Sequence, residues 1–225
     1  MPCLEVYLAL CNAPTLSLSH GQNCICLGSD GTLKGHEKVT TYALNPVAWS
    51  DIEDLQIRSL FHHEDQRGTF SKVSTSSFGP ESGFNTVREA FWTDSKPGVA
   101  RGMHLITNPK AGSKIVSVMR GRIIDLVADL RPCSPTFLNF AAVRLSPQQA
   151  ALIPKGCAHG FIAERDCSIL YLQDCDHSEA MDRGFSLHSL PIHLPIDVVM
   201  SERDNGFPTL EDFLTNEILV SRPLA

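Results

Sequence analysis

From Ile57 onward the chain is a succession of short β-prone runs, each closed by Gly, Pro, Asn or Asp. RSLFHH, GTFSKVSTSSF, TVREAFW, KIVSVMRG, RIIDLVADL, FLNFAAVRL, AALIP, HGFIAE and SILYLQD follow one another with little room for helices between them. Strands of about four to eight residues at this spacing specify an all-β sandwich or barrel. In Arg122–Leu130 the alternation is imperfect and both faces are apolar, which places that strand in the interior of a sheet. Ser146–Ala150 reads as a turn or short helical step before the next strand. Near the end, Thr209 is an N-cap candidate with Asp212 three residues on, and apolar residues recur at Leu210, Phe213 and Leu219. A short terminal helix over Thr209–Leu219 is expected.

Residues 1–50 differ in character, being rich in Ser, Gly, Asn and Thr with short, poorly periodic apolar runs. They read as an N-terminal extension, of an order the sequence leaves open, on a domain spanning 51–225. The apolar run Leu4–Cys11 is short, is interrupted by Glu5 and has no basic residue before it, so it is not read as a signal peptide. No stretch approaches the roughly 18 apolar residues of a membrane span. With a formal charge of −6, broad binding to nucleic acid or anionic membrane is not expected. The eight cysteines lack the density of a disulfide scaffold and are expected to be reduced thiols of a cytoplasmic protein. Cys24 and Cys26 form a lone C-x-C with no second ligand pair of zinc-like spacing.

Three segments carry chemistry-bearing side chains: Gly98–Lys114, Ile153–Phe161 and Met200–Leu210. The second has the P-x-G-x-x-H spacing of a cupin motif, in which a turn swings a histidine inward from the start of a strand. A cupin metal site would also need an H-x-H pair followed by a carboxylate. Here the residue two after His104 is Ile106, and no Glu follows before Lys114, so no metal and no other cofactor is expected.

With the motifs in order, the chain resembles the dTDP-4-dehydrorhamnose 3,5-epimerase family over residues 57–213. The carrying residues are D-x-R-G-x-F (Asp65, Arg67, Gly68, Phe70), G-V-x-R-G-x-H (Gly98 to His104) and Lys114, ten residues after that histidine. D-L-R-x-x-S-P-T-F (Asp129 to Phe137), I-P-x-G-x-A-H-G-F (Ile153 to Phe161), Leu170–Tyr171 and S-E-x-D (Ser201 to Asp204) follow. The resemblance implies a cupin-type double-sheet jelly roll, a homodimer, and a substrate of the nucleoside-diphosphate 4-keto-6-deoxyhexose class. It implies His104 as base, Asp204 as its orienter, Lys114 at the enolate oxygen and Tyr171 as the acid on the other face of the sugar. It also implies Arg67 and Arg101 at the diphosphate and His159 in the pocket, with Lys72 and Glu89 at recognition positions.

The reaction explains why these residue types are wanted. A carbon beside a ketone loses a proton only when the resulting enolate is stabilised, so the site needs a base, a cation at the oxygen and an acid. Taken singly, each residue has a plainer explanation: a hydrogen-bonded core histidine, a solvated strand-end lysine, a core tyrosine, an aspartate capping a turn, arginines in surface salt bridges. The chain also departs from the family pattern. Lys72 stands where a base-facing glutamate is usual, Glu89 and Phe91 replace a Q-x-N segment, and Leu105 and Ile106 replace a tyrosine and a glutamine. Asp176 and His177 replace an aromatic pair. Two other readings therefore stand beside epimerisation at C3, C5 or both: a keto-sugar isomerase of related fold, and a non-catalytic sugar-nucleotide binding protein.

Overall fold

The computed structural model describes residues 51–79, 82–84, 86–107, 111–177, 182–192, 194 and 198–218. The proposed extension 1–50, with Cys24 and Cys26, lies outside the described residues. Two five-stranded antiparallel sheets face each other. The first runs β1 (Gln56–Ser59), β9 (Gln149–Ile153), β6 (Lys114–Arg120), β11 (Cys167–Gln173) and β4 (Glu89–Ser95) from edge to edge. The second runs β12 (Asp182–Gly184), β5 (Ala100–Ile106), β10 (Cys157–Ala163), β7 (Ile123–Asp129) and β8 (Phe140–Leu145). A separate hairpin pairs β2 (Phe61–Asp65) with β3 (Gly68–Lys72). This is the double-sheet jelly roll that the strand spacing and the motifs imply.

Three apolar clusters explain why the strand alternation is imperfect. Between the sheets, Val116, Val118 and Ile169 of the first meet Ile123, Val127 and Phe161 of the second. Behind the second sheet, Ile124, Leu126 and Ala128 are covered by the C-terminal part of the chain through Phe185, Leu187 and Phe213. Behind the first, Ile115 and Leu152 are covered by Phe78 and Phe84. Strands with a covered outer face keep apolar residues on both sides, and every residue of β7 and β10 is buried.

Local expectations are met with adjustments. The run RSLFHH is two strands, because the chain changes partners at Leu60: β1 pairs with β9, and β2 pairs only with β3. GTFSKVSTSSF is strand only as far as Lys72, after which Thr75–Phe78 winds into a 3₁₀ turn that plugs Phe78 into the core. Thr209 caps the terminal helix as expected, its hydroxyl accepting from the Asp212 amide at 3.1 Å. That helix spans Leu210–Phe213 and continues as a π-type turn over Leu214–Ile218.

The loop between β7 and β8 is fixed by one buried carboxylate. Asp129 accepts from Arg131 Nε (2.9 Å) and Nη2 (2.8 Å), and from the Ser134 and Thr136 hydroxyls, each at 2.6 Å. Arg131 in turn reaches the Glu53 carbonyl at 2.7 Å, tying the start of the domain to this loop. Burial alone would raise the Asp129 pKa, but these hydrogen bonds outweigh it and hold the carboxyl below its ordinary 3.8. A depressed carboxylate pKa stabilises the fold above the unfolded value, and that contribution is lost as pH falls through the folded one. Asp129→Ala leaves Arg131 only Asp54 and the Glu53 carbonyl, and the Ser134 and Thr136 hydroxyls without their acceptor. It is expected to cost about 1–3 kcal/mol in urea unfolding at neutral pH. The deficit should shrink progressively below pH 3.8; an equal deficit at pH 7 and in strong acid would refute the linkage.

Candidate active site

A cleft of about 460 Å³ opens between the two sheets and takes its walls from both. The first sheet presents two rows of side chains. Glu89, Gln173 and Lys114 are cross-strand partners over β4, β11 and β6, and beside them Phe91 is opposite Tyr171. The second sheet presents Arg101 and His104 from β5 and His159 from β10. Residues two apart on a strand share a face, which explains Glu89 with Phe91 and Tyr171 with Gln173.

Arg101 and His104 are three apart and ought to face opposite ways. A β-bulge resolves this: His104 pairs with His159 and Arg101 with Phe161, so three steps on β5 match two on β10. The bulge passes through Gly102, at φ 118°, where a Cβ would lie 2.6 Å from the Gly160 Cα. Only glycine supplies that conformation and that clearance. The slip in register turns both the arginine and the histidine into the cleft.

One carboxylate holds this arrangement. Asp204 Oδ1 lies 2.8 Å from His104 Nε2, and Asp204 Oδ2 accepts from the Gly102 amide at 3.1 Å. Asp204 is delivered there by two local features. Val199 bridges to Val99 beside β5, and Ser201 then caps the short helix Glu202–Asn205 through the Asp204 amide. Burial works against the Asp204 charge, but the His104 imidazole, the Gly102 amide and the Ser201 hydroxyl outweigh it and hold its pKa below the ordinary value. An ionised Asp204 places the proton of a neutral imidazole on Nε2 and leaves Nδ1 as the basic nitrogen. Phe207 packs edge-on against the same ring at 5.4 Å, and the Arg203 guanidinium, paired with Asp182, lies 5.4 Å from the Phe207 ring centre.

A second imidazole is held in the same way. His159 Nε2 lies 2.6 Å from Asp125 Oδ1, with both residues buried. Asp125 escaped the reading of the sequence. Its signal was present, since an acid in the middle of the otherwise apolar IIDLVAD must find a partner when buried. Gln173, His177 and Asp182 also line the cleft and were not singled out as site residues.

The opposite wall carries Lys114 and Tyr171. Desolvation lowers the Lys114 pKa from its ordinary 10.5, partly offset by the charges of Asp182, Cys175 and Asp125. Burial raises the Tyr171 pKa, keeping the phenol protonated. Glu89 lines the cleft, its carboxylate accepting from the His177 amide at 2.8 Å and from Gln173 Nε2 at 3.4 Å. Arg101 donates to the Ser95 hydroxyl at 3.2 Å. Arg67 and Lys72 do not reach this cleft. They sit on the exposed β2–β3 hairpin, where Arg67 pairs with Asp65, because the hairpin bonds to neither sheet of its own chain. Neither residue lines the cleft. Among the described residues no three His, Cys, Asp or Glu side chains are grouped to hold a metal, and none of the helices is long and apolar enough to cross a membrane.

Comparison with known proteins matches this geometry to one family. The profile of dTDP-4-dehydrorhamnose 3,5-epimerase covers residues 50–212. The enzyme of that name from Methanothermobacter thermautotrophicus is 32% identical over 161 residues, spanning 67% of this chain and 86% of its own. The crystal structure of the Sulfolobus tokodaii dTDP-4-dehydrorhamnose 3,5-epimerase superposes with a TM-score of 0.65 at 31% identity, covering 71% of this chain and 92% of that one. The Bacillus anthracis enzyme, with TDP and PPi bound, superposes with a TM-score of 0.64 at 28% identity, over 75% and 100% of the two chains. The protein belongs to the dTDP-4-dehydrorhamnose 3,5-epimerase family.

Proposed function

We propose that the protein is an isomerase that inverts C3, C5 or both of a nucleoside-diphosphate 4-keto-6-deoxyhexose in deoxysugar biosynthesis. The observation that carries this is the division of labour between the sheets. The imidazoles come from one sheet and the ammonium and phenol from the other, so a sugar ring in the cleft meets a base on one face and an acid on the opposite face. His104 Nδ1 removes the proton beside the ketone, and Asp204 stabilises the imidazolium as it forms. The electron pair moves into the enolate, whose oxygen is held by the Lys114 ammonium, a contribution of about 10²–10³ in rate. Tyr171 returns a proton from the other face and the configuration inverts. Arg101 takes the diphosphate, for which its planar fork is suited, and His159, oriented by Asp125, completes the phosphate and sugar contacts.

The same reading includes a homodimer working in the cytoplasm. The β2–β3 hairpin exposes Phe61 and Phe70, and edge strand β4 exposes Trp92 at 68%. Large exposed aromatic side chains of this kind mark association surfaces. A partner copy would receive the hairpin and with it Arg67 and Lys72, placing them over the neighbouring cleft. On this view Lys72 and Glu89 contact the substrate across the interface and from the cleft wall respectively.

Incubation with TDP-4-keto-6-deoxyglucose in deuterium oxide tests the reaction. Deuterium at C3 or C5 of an inverted product is expected. Carbonyl migration would instead favour the keto-sugar isomerase, and binding without exchange a non-catalytic protein. His104→Ala should abolish exchange with nucleotide affinity largely kept; normal exchange in that variant refutes the base. The rate should also decline on the alkaline side below pH 10.5, because Lys114 must stay protonated and its pKa is lowered. Tyr171, pushed upward, does not titrate first. Lys114→Arg keeps its charge and should shift that decline to higher pH; an unmoved decline would exclude Lys114 as its origin. Sedimentation should show a dimer, and Arg67→Ala should weaken nucleoside-diphosphate binding by about tenfold, the loss of one charged hydrogen bond. Unchanged binding would leave Arg67 with its Asp65 pair alone.

A further inference from the structure

Tyr171 does not stand alone in the cleft wall. Phe91 is its direct cross-strand partner on β4, and the two rings stack with centroids 4.8 Å apart and planes 13° from parallel. His159 meets the same tyrosine edge-on, at 6.2 Å and 69°. The phenol ring is thus held by a stacked ring and by an imidazole edge. The exposures are unequal: Tyr171 is 6% exposed and Phe91 38%. Because β4 is the edge of its sheet, the more exposed Phe91 stands on the solvent side of the stack.

We propose that Phe91 is a positioning residue for proton delivery, holding the Tyr171 phenol toward the substrate and keeping bulk water from that side of the ring. The role rests on the epimerase reading above. The enolate has two fates. It can take a proton back from the His104 imidazolium, which restores the starting configuration, or take the Tyr171 proton on the opposite face. In the second case the Tyr171 O–H bond breaks, a new C–H bond forms and a phenolate remains. The phenolate then regains a proton from water while the imidazolium releases one, so atoms and charge balance over a turnover. A phenol free to turn away, or one reached by water, slows the inverting branch without altering the first deprotonation. Stacked aromatic pairs contribute about 0.5–1.5 kcal/mol beyond the area they bury, equivalent to about a 2–12-fold change in the favoured ring position.

The experiment compares wild type with Phe91→Leu, which keeps the position apolar but removes the stack, and with Phe91→Tyr, which restores an aromatic ring. Each is given TDP-4-keto-6-deoxyglucose in deuterium oxide, and NMR measures deuterium in recovered substrate against inverted product. Phe91→Leu should raise the ratio of exchange without inversion to inversion by about 2–12-fold, with Phe91→Tyr returning close to wild type. A purely structural role would lower both branches equally, leaving the ratio fixed. If wild type inverts and Phe91→Leu shows an unchanged ratio, the role of Phe91 is overturned while the epimerase reading stands. If wild type neither exchanges nor inverts, the epimerase reading falls and this role with it.

Discussion

The site is organised around the Asp204 carboxylate. With one oxygen it bonds the His104 imidazole, and with the other it takes the Gly102 amide in the β-bulge that turns His104 into the cleft. A single side chain therefore sets the direction of the imidazole, its tautomer and the backbone irregularity that presents it. The carboxylate remains ionised despite burial because three donors converge on it. Its position depends on the segment around Val199 and Ser201, which brings a residue 100 positions away to the side of β5. The C-terminal part of the chain thus orients a side chain of the cleft wall as well as covering the second sheet.

Two facing sheets suit a reaction with two-sided geometry. Sheets packed face to face lie about 10 Å apart, which leaves room for a flat ring with side chains approaching from above and below. The histidines are rooted in one sheet and the lysine, tyrosine and phenylalanine in the other, so the protein keeps the imidazoles and the ammonium–phenol pair on opposite walls of the cleft. The cleft is also electrostatically mixed. Arg101 and Lys114 supply positive charge to its lining, while Glu89 and Asp182 are engaged by the His177 amide and Arg203. Glu89, Phe91, Ile106 and His177, where the chain departs from its family's pattern, all line this cleft. They alter the lining of the cleft and leave His104, Lys114, Tyr171 and Asp204 in place.

Much of this was legible from the residues. Short β-prone runs punctuated by turn formers indicate a two-sheet β fold, because period-two patterning and turn chemistry are local properties. The double apolar character of Arg122–Leu130 correctly indicated an interior strand. His104, Lys114 and Tyr171 could be named from motif spacing and are brought to one cleft. Asp125 was missed for a specific reason: within an apolar strand its partner, His159, is a neighbour only after β7 and β10 pair.

What the sequence determined by itself was the all-β class, most of the strands and the identity of the ionisable groups, since each follows from patterns within a few residues. Strands β5 and β12 were not among the runs it marked. Tertiary structure decided which way those groups point and which of them share a cleft. Arg101 and His104 share a face only because β5 bulges against β10, and Arg67 and Lys72 lie outside the cleft because the hairpin forms a separate two-stranded sheet. Register and long-range pairing are set by the packing of whole strands against one another, and no local pattern of residues encodes where that packing will slip by one.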